Sequence, residues 1–237
     1  MASHGEAADV EPAAVPDVLS DAYLGESRWP PIAAIVVFFA VNIALRLWLP
    51  GESAVRAPWL LPSIEVALLV VLLTADPTGP VERRRLRRVA LVLVGLLVLA
   101  ALWATTILVD DLIRGTGVSN DPSELLGTGA VVWLGNNLAF ALLYWLMDGG
   151  GPHARSRHGR RVVDFAFTQQ MSPELAPPGW RPVFLDYLHL GFTNATAFSP
   201  TDVMPLSHRA KYAMLVQSTV ALSLFGLVVA RAVNAFT

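Results

Sequence analysis

Residues 89–109 read VALVLVGLLVLAALWATTILV, a stretch without a charged side chain that is long enough to cross a lipid bilayer as one helix. A helix is the natural form of such a stretch, because it satisfies every backbone polar group internally where water is absent. Four further apolar stretches share this character. They cover residues 32–49, 59–74, 125–147 and 210–236. The pattern predicts an all-α protein, a polytopic bundle of transmembrane helices.

The composition points the same way. Of the 237 residues, 54% are hydrophobic and only 15% are charged, and the mean hydropathy is +0.52. These values are too apolar for a water-soluble domain of this size. We therefore expect a single transmembrane domain over residues 29–237, surrounded by membrane lipids.

The first 28 residues have a different, acidic character. Signal peptides begin with basic residues followed by an apolar core, and this segment does neither. It predicts a disordered acidic tail over residues 1–28. Its acidic residues are Glu6, Asp9, Glu11, Asp17, Asp21 and Glu26.

Arginines define the expected topology, because short basic loops stay in the cytoplasm. One cluster lies at residues 83–88, before the third span, and a second lies at 155–181, after the fourth. The loop at 110–124 between those spans is acidic, which suits the outside. The N-terminus and a loop near 148–182 are then cytoplasmic, and the expected location is the inner (plasma) membrane.

Several functional classes receive no support. The chain has no cysteine, which excludes thiol nucleophiles and thiolate metal sites. It carries no phosphate-binding glycine loop and no hydrolase or zinc-protease motif. We predict no enzyme activity, no catalytic residue, no metal, no cofactor and no nucleic-acid partner.

The segment 183–200, VFLDYLHLGFTNATAFSP, is long enough to span but unusually polar. Asp186, His189, Thr193 and Thr196 follow at steps of three, four and three, which places them on one side of a helix. Such a stripe must face protein or water. Two topologies remain open: a sixth span, which we prefer, or five spans plus a re-entrant hairpin. The spacing of three also allows a hydrogen-bonded pair between Asp186 and His189, and the alternative is a structural histidine.

Ser199 and Asp202 flank Pro200 and Thr201 after this segment. A serine followed three residues later by an acid, with proline between them, is typical of a helix N-terminus. A capping role and a ligand role for these two side chains both remain open.

The run at 186–234 resembles the pore region of two-span potassium channels. In that family a short helix, a threonine-rich filter, a turn with aspartate and proline, and an inner helix follow in this order. The matching positions are Thr193, Thr196, Asp202, Pro205 and the apolar helix ending near Arg231. The overall plan is also similar to a bacterial family of uncharacterised multi-pass membrane proteins, a domain of unknown function.

The resemblance fails at the filter itself. Where that family needs two glycines, this chain has Ser199 and Thr201, and Pro200 replaces the aromatic residue. A carbonyl-lined filter depends on the backbone freedom of glycine. A potassium filter is therefore not expected.

Two charged residues fall within predicted spans. Arg46 lies near the outer end of the first span, and Glu65 lies inside the second. A buried charge without a partner is costly in hydrocarbon, so an ion pair between them is predicted. The alternative is that Arg46 reaches the membrane surface and leaves Glu65 alone.

These features give two functional hypotheses. In the first, the protein is a homo-oligomer in which the hairpin at 186–211 lines a channel-like pore for small ions or protons. In the second, it is a non-transporting structural or interaction protein of the membrane. The residues assigned to the polar lining are Asp186, His189, Thr193, Thr196, Ser199 and Asp202.

Overall fold

The computed structural model describes residues 26–27, 29–48, 63, 65–67, 69–70, 80–115, 122–155, 163–196 and 202–235. Within these ranges the chain is mostly helical. The elements are α1 Trp29–Trp48, α2 Pro80–Arg114, α3 Pro122–Met147, α4 Pro152–Arg155, β1 Phe165–Phe167, α5 Thr168–Met171, α6 Phe184–Ala195, β2 Val203–Pro205 and α7 His208–Ala235, with single 3-10 turns at Asp148–Gly150 and Pro173–Leu175.

Proline lies in the first turn of three of the four long helices. α2 begins at Pro80, α3 begins at Pro122, and α1 has Pro30 and Pro31 in its first turn. The ring fixes φ near its helical value, and the missing N–H is not needed in a first turn. Each of these three helices therefore begins at a position that the sequence itself specifies.

Helix α3 lies at the centre of the bundle and runs antiparallel to its neighbours. Near one end of α3, a Cβ added to Gly151 would lie 3.5 Å from Nε of Arg87 on α2. Near its other end, a Cβ on Gly129 would lie 2.8 Å from the Val228 side chain of α7. Close approach at small residues is how helices pack within membranes. Because α2 and α7 both begin where α3 ends, these three helices run up, down and up.

A small cap covers the end of the bundle at which α3 stops. Its core is a two-stranded antiparallel sheet in which β1 pairs with β2, with Phe165 opposite Pro205 and Phe167 opposite Val203. Side chains alternate between the faces of a strand. Phe165, Phe167 and Val203 are buried against the helices, while Met204 is half exposed on the other face.

Helix α6 enters the bundle from this cap, and the chain then returns to it. The first turn of α6 contacts the end of α3, where the rings of Phe184 and Trp145 meet edge to face at 6.0 Å. The far end reaches deeper, where the ring of Phe192 meets Trp133 at 5.5 Å. Asp202 is back at the cap, since its carbonyl accepts hydrogen bonds from the backbone N–H and the hydroxyl of Thr168. We call residues 183–206 the α6 hairpin.

Three described helices are long and apolar enough to cross a membrane, namely Arg84–Arg114, Ser123–Arg155 and His208–Val233, and Trp29–Ala44 is a shorter apolar helix. The prediction of a helical protein with membrane-spanning helices is confirmed to that extent. A bundle of six spans is not confirmed, because α6 has only 12 residues. The predicted span 59–74 is described only at 63, 65–67 and 69–70, which are helical.

The three long helices differ in how much of their surface the chain covers. α3 is surrounded on most sides, whereas α7 leaves a broad apolar face uncovered. Exposure of this many large apolar side chains suits contact with lipid tails and not with water. The α7 side chains that are more than half exposed are Tyr212, Leu215, Leu222, Phe225 and Val233.

Candidate functional site

The candidate site from the sequence was the hairpin at 186–211, most of which lies in the α6 hairpin, and in the structure its helix has two distinct faces. One face is buried against α3 and α7, and the other is partly or fully exposed. The period of the helix separates them, because residues three and four apart share a side. The buried positions of α6 are Phe184, Tyr187, Leu190, Gly191, Asn194 and Ala195.

Most of the predicted polar stripe lies on the open face. Asp186 caps its own helix, where its Oδ2 accepts the backbone N–H of Val183 at 2.7 Å. Nδ1 of His189 lies 3.5 Å from Oδ2 of Asp202, and their side chains are 58% and 47% exposed. His189 therefore has Asp202 as its charged neighbour on the returning chain. His189 is closer to Asp202 than to Asp186, the partner that the spacing suggested.

The two threonines of the stripe bond to their own helix. The hydroxyl of Thr193 donates to the carbonyls of His189 and Leu190 at 3.0 and 3.1 Å. The hydroxyl of Thr196 donates to Phe192 and Thr193 at 3.0 and 3.2 Å. Such back-bonding is common for threonine in helices, and it leaves the hydroxyl oxygen able to accept a further hydrogen bond.

Two other predicted residues lie partly beyond the described part of the chain. Ser199 is outside it, as is the side chain of Arg46, so their predicted roles stay predictions. Glu65 is buried in the second predicted span, with 2% exposure. Its Oε1 lies 3.5 Å from Nδ2 of Asn42 on α1, which links these two segments.

The buried face of the α6 hairpin carries a polar cluster that ties it to α3 and α7. Oε1 of Gln217 accepts hydrogen bonds from the Tyr144 hydroxyl at 2.6 Å and from Nδ2 of Asn194 at 2.8 Å. Nε2 of Gln217 donates to the Gly191 carbonyl at 3.0 Å. The Ser218 hydroxyl donates to Oδ1 of Asn194 at 3.0 Å. We call Tyr144, Asn194, Gln217 and Ser218 the inner cluster.

Gly191 allows α6 to approach α3 closely. A Cβ at this position would lie 2.8 Å from Oδ1 of Asn137 and 3.5 Å from the Ala141 side chain. Contacts below 3 Å are essentially not seen for real Cβ atoms, so a larger residue would force the helices apart. Glycine is needed here for space, since no positive φ is recorded for it.

A buried carboxylate joins the cap to the first turns of α6. Asp148 is fully buried at the end of α3, and its Oδ1 accepts the backbone N–H groups of Asp164 and Phe165 at 2.7 and 3.2 Å. Its Oδ2 accepts the Tyr187 hydroxyl of α6 at 2.6 Å. Tyr187 in turn packs edge to face against the rings of Phe165 and Phe167. Three elements thus meet at one acid.

A second acid fastens the returning strand. Asp164 is buried, and its carboxylate accepts hydrogen bonds from Nε and Nη2 of Arg209 at 2.6 and 2.5 Å and from the Ser207 hydroxyl at 2.5 Å. Burial raises the pKa of Asp164, but the bonds from Arg209 and Ser207 outweigh it and leave the pKa below its ordinary value. Ser207 also caps α7, because its oxygen accepts the Ala210 N–H at 3.2 Å.

Sequence reasoning identified part of this arrangement. Asn42, Asn136, Asn137 and Gln217 lie in apolar stretches, where amide side chains commonly bond between helices. Asn42, Asn136 and Gln217 do so, with Asn136 donating to Thr105 on α2. Sequence reasoning missed Asp148 and Asp164, which sit among glycines and arginines in a loop that gives no periodic signal. Their roles depend on β1, a strand of three residues that is too short to recognise from alternation.

Among the described residues, no group of three or more histidine, aspartate or glutamate side chains is placed to hold a metal ion. Comparison with known proteins adds no relative: no family model, no curated protein and no solved structure matches this chain. The two resemblances noted above therefore stay at the level of sequence layout, and the site has to be interpreted from its own geometry.

Proposed function

We propose that this protein is a multi-pass protein of the inner membrane, with five spans and a re-entrant hairpin, whose copies assemble around a pore for small ions or protons. The observation that supports the proposal best is the path of the α6 hairpin. Its helix starts at the cap, descends along α3, and the chain is back at the cap by Asp202, immediately before the long apolar α7. The pore region of two-span channels has the same layout.

The depth of the hairpin suits a pore lining. Asn194 near the tip of α6 bonds to Gln217, which lies about 14 Å along α7 from its first residue at 1.5 Å per residue. The apolar core of a bilayer is about 30 Å thick. The tip of α6 would therefore lie near the middle of the membrane, where polar groups are costly unless they serve a cavity.

The open face of α6 is the proposed lining. Asp186, His189, Thr193, Thr196 and Asp202 supply carboxylate, imidazole and hydroxyl groups that are at least partly accessible in one copy of the chain. One copy alone does not enclose them, so the proposal includes a homo-oligomer in which several open faces meet. Ser199 belongs to the same lining by sequence.

The orientation follows from charge. The end of the bundle that carries the cap also carries the exposed arginines at the start of α2, so this end and the N-terminus would lie in the cytoplasm. The hairpin would then enter the membrane from the cytoplasmic side. No catalytic step is part of the proposal.

Flux through liposomes tests the proposal. Purified protein is reconstituted, and proton and cation flux are followed with entrapped dyes across a range of pH and voltage. We expect flux in the wild type and at least a several-fold loss in His189→Ala and in Asp202→Asn, with unchanged thermal unfolding. Glu174→Ala, an exposed acid of the cap, is the matched control. Absence of flux from a folded wild-type protein would reject the pore.

A second function is favoured by a specific observation. The buried polar side chains of the inner cluster are partnered within the chain, and five of the proposed lining residues also bond within the hairpin or come close to each other. A self-satisfied hairpin fits a membrane-embedded structural or interaction protein that transports nothing. If substitutions on the open face change neither flux nor stability, while those in the inner cluster change stability alone, this alternative is favoured.

A further inference from the structure

A carboxylate-binding arrangement lies where the α6 hairpin begins, and the chain fills it with its own Glu26. Oε1 of Glu26 accepts hydrogen bonds from Nε1 of Trp145 at 2.6 Å and from the backbone N–H of Phe184 at 2.7 Å. Its Oε2 lies 3.4 Å from Nη2 of Arg155. Glu26 precedes α1, in the acidic segment that the sequence predicts to be a disordered tail.

The three donors come from three separate elements. Trp145 is on α3, Arg155 is on α4, and Phe184 is the first residue of α6. The N–H groups of a first helical turn have no partner within the helix, and they carry partial positive charge. A carboxylate at this position therefore satisfies a free donor of α6 and links that helix to two others.

Arg155 also has contacts that do not involve Glu26. Nη1 of Arg155 donates to the carbonyls of Trp145 and Asp148, both at 2.8 Å, and its guanidinium lies over the Tyr187 ring at 4.9 Å. The side chains of Arg155 and Glu26 are only 8% and 14% exposed. Nε of Arg155 is buried without a hydrogen-bond partner among the described residues, so the two carbonyls, the Tyr187 ring and Glu26 together stabilise its charge.

We propose that Trp145, Arg155 and the first turn of α6 form a carboxylate-binding site, and that Glu26 fills this site in cis and positions the α6 hairpin. Glu26 is thereby coupled to the hairpin, so its displacement changes how α6 is held. The structural part of this proposal stands by itself. Only its effect on flux rests on the proposed function.

The charge state of Glu26 sets the sign of the expected effects. Burial raises the pKa of Glu26, and the bonds from Trp145, Arg155 and Phe184 offset this only in part. The groups that face it are Arg155 and, beyond it, Asp148 and Tyr187. Because the folded state holds the proton more tightly than the unfolded state, this carboxyl stabilises the fold more as the pH falls through its raised pKa. A neutral isostere should therefore preserve the fold at neutral pH.

The test compares Glu26→Ala, Glu26→Gln and the control Glu174→Ala in the full-length protein in detergent. We expect Glu26→Ala to lower the thermal midpoint by about 4 °C. Glu26→Gln should stay at or above the wild-type midpoint at neutral pH and fall behind the wild type only in acid. The exposed Glu174 should give no shift.

A double-mutant cycle makes the test specific to the site. Trp145→Phe removes one donor, and its effect should be much smaller in the Glu26→Ala background than in the wild type, because the acceptor is already gone. Sodium acetate should raise the midpoint of Glu26→Ala more than sodium chloride does at equal ionic strength. Additive effects in the cycle together with no acetate response would overturn the carboxylate site.

Flux separates this inference from the proposed function. Reconstituted Glu26→Gln should conduct as the wild type does, and Glu26→Ala should show reduced flux that acetate restores in part. If the wild-type protein conducts nothing, the pore is rejected, and the double-mutant cycle still tests the carboxylate-binding site. If the double-mutant cycle is non-additive but Glu26→Ala leaves the flux unchanged, the carboxylate-binding site is retained and its effect on conduction is rejected.

Discussion

The two faces of α6 use their polar residues in different ways. On the buried face, Tyr187 and Asn194 bond to groups on α3 and α7, and every one of these bonds joins different helices or the cap. On the open face, Thr193 and Thr196 bond to carbonyls of their own helix, and His189 approaches Asp202 on the returning chain.

This difference shows where stability and function are separable. A buried hydrogen-bonded group that loses its partner leaves another group unsatisfied, which is costly where water cannot reach. A half-exposed group that bonds to its own helix loses little when it is removed. We therefore expect substitutions on the buried face to affect folding and substitutions on the open face to affect conduction.

The largest effect is expected for Asp148→Ala. It leaves the Tyr187 hydroxyl and the backbone N–H groups of Asp164 and Phe165 buried without their acceptor. We expect a loss of about 3 kcal/mol or more in the free energy of unfolding. Thermal unfolding in detergent measures it, and Asp148→Asn should be much milder because one oxygen remains. A wild-type midpoint in Asp148→Ala would contradict the role of this acid.

Gln217→Leu tests the inner cluster. The change removes the acceptor of Tyr144 and Asn194 and the donor to the Gly191 carbonyl. A hydrogen bond between helices in a membrane contributes on the order of 1 kcal/mol, so we expect a loss of about 1–2 kcal/mol. The control is Thr219→Ala, whose hydroxyl is exposed and bonds only to its own helix. Equal effects of the two substitutions would contradict a stabilising role of the inner cluster.

Gly191→Ala tests the close approach of α6 to α3. The added methyl would meet Oδ1 of Asn137 at 2.8 Å, and the resulting shift should cost about 1 kcal/mol or more. Asn137→Ala removes the obstructing atom, so the double substitution should recover part of the loss. Thermal midpoints of the two single variants and the double variant measure this. If the double variant shows no recovery, another contact limits the approach.

A smaller effect with a defined pH dependence is expected at Asp164. Since its pKa is lowered in the folded state, the stabilisation from its bonds to Arg209 and Ser207 is present above the ordinary aspartate value of about 3.9. It is lost as the pH falls through the lower, folded value. The midpoint difference between wild type and Asp164→Asn should therefore shrink in acid. A difference that stays constant below pH 4 would contradict this.

The smallest effect on stability is expected for His189→Ala. Its side chain is 58% exposed and lies 3.5 Å from Asp202, so the change should stay within about 0.5 kcal/mol. A larger loss would show that the open face is structural in the assembled protein. The thermal midpoint of the reconstituted oligomer is the relevant measurement.

Much of the fold was predictable because the length of an apolar run is a local property of the sequence. The apolar runs at 89–109, 125–147 and 210–236 became α2, α3 and α7 with ends within a few residues of those predicted, apart from the start of α2. That start differs because the arginines before residue 89 continue the same helix. A helix does not have to end where the hydrocarbon ends.

The candidate site was less predictable. Spacing correctly placed Asp186, His189 and Thr193 on one side of α6, but it did not show that this side is the open one. It also did not show that Asn194 lies on the buried face, because burial depends on which neighbours surround a helix. The path of the hairpin was left open as well, since counting arginines gives nearly the same balance for a span and for a returning loop.

By itself, the sequence determined that this protein is helical and suited to a membrane, because each apolar run must satisfy its own backbone. Only the tertiary structure decided that the chain returns to the cap after α6, through the pairing of β1 with β2 and the bonds of Asp148 and Asp164. It also decided that Glu26 binds at the start of α6. These contacts join residues that are far apart in the chain, and local sequence patterns do not predict contacts of this kind.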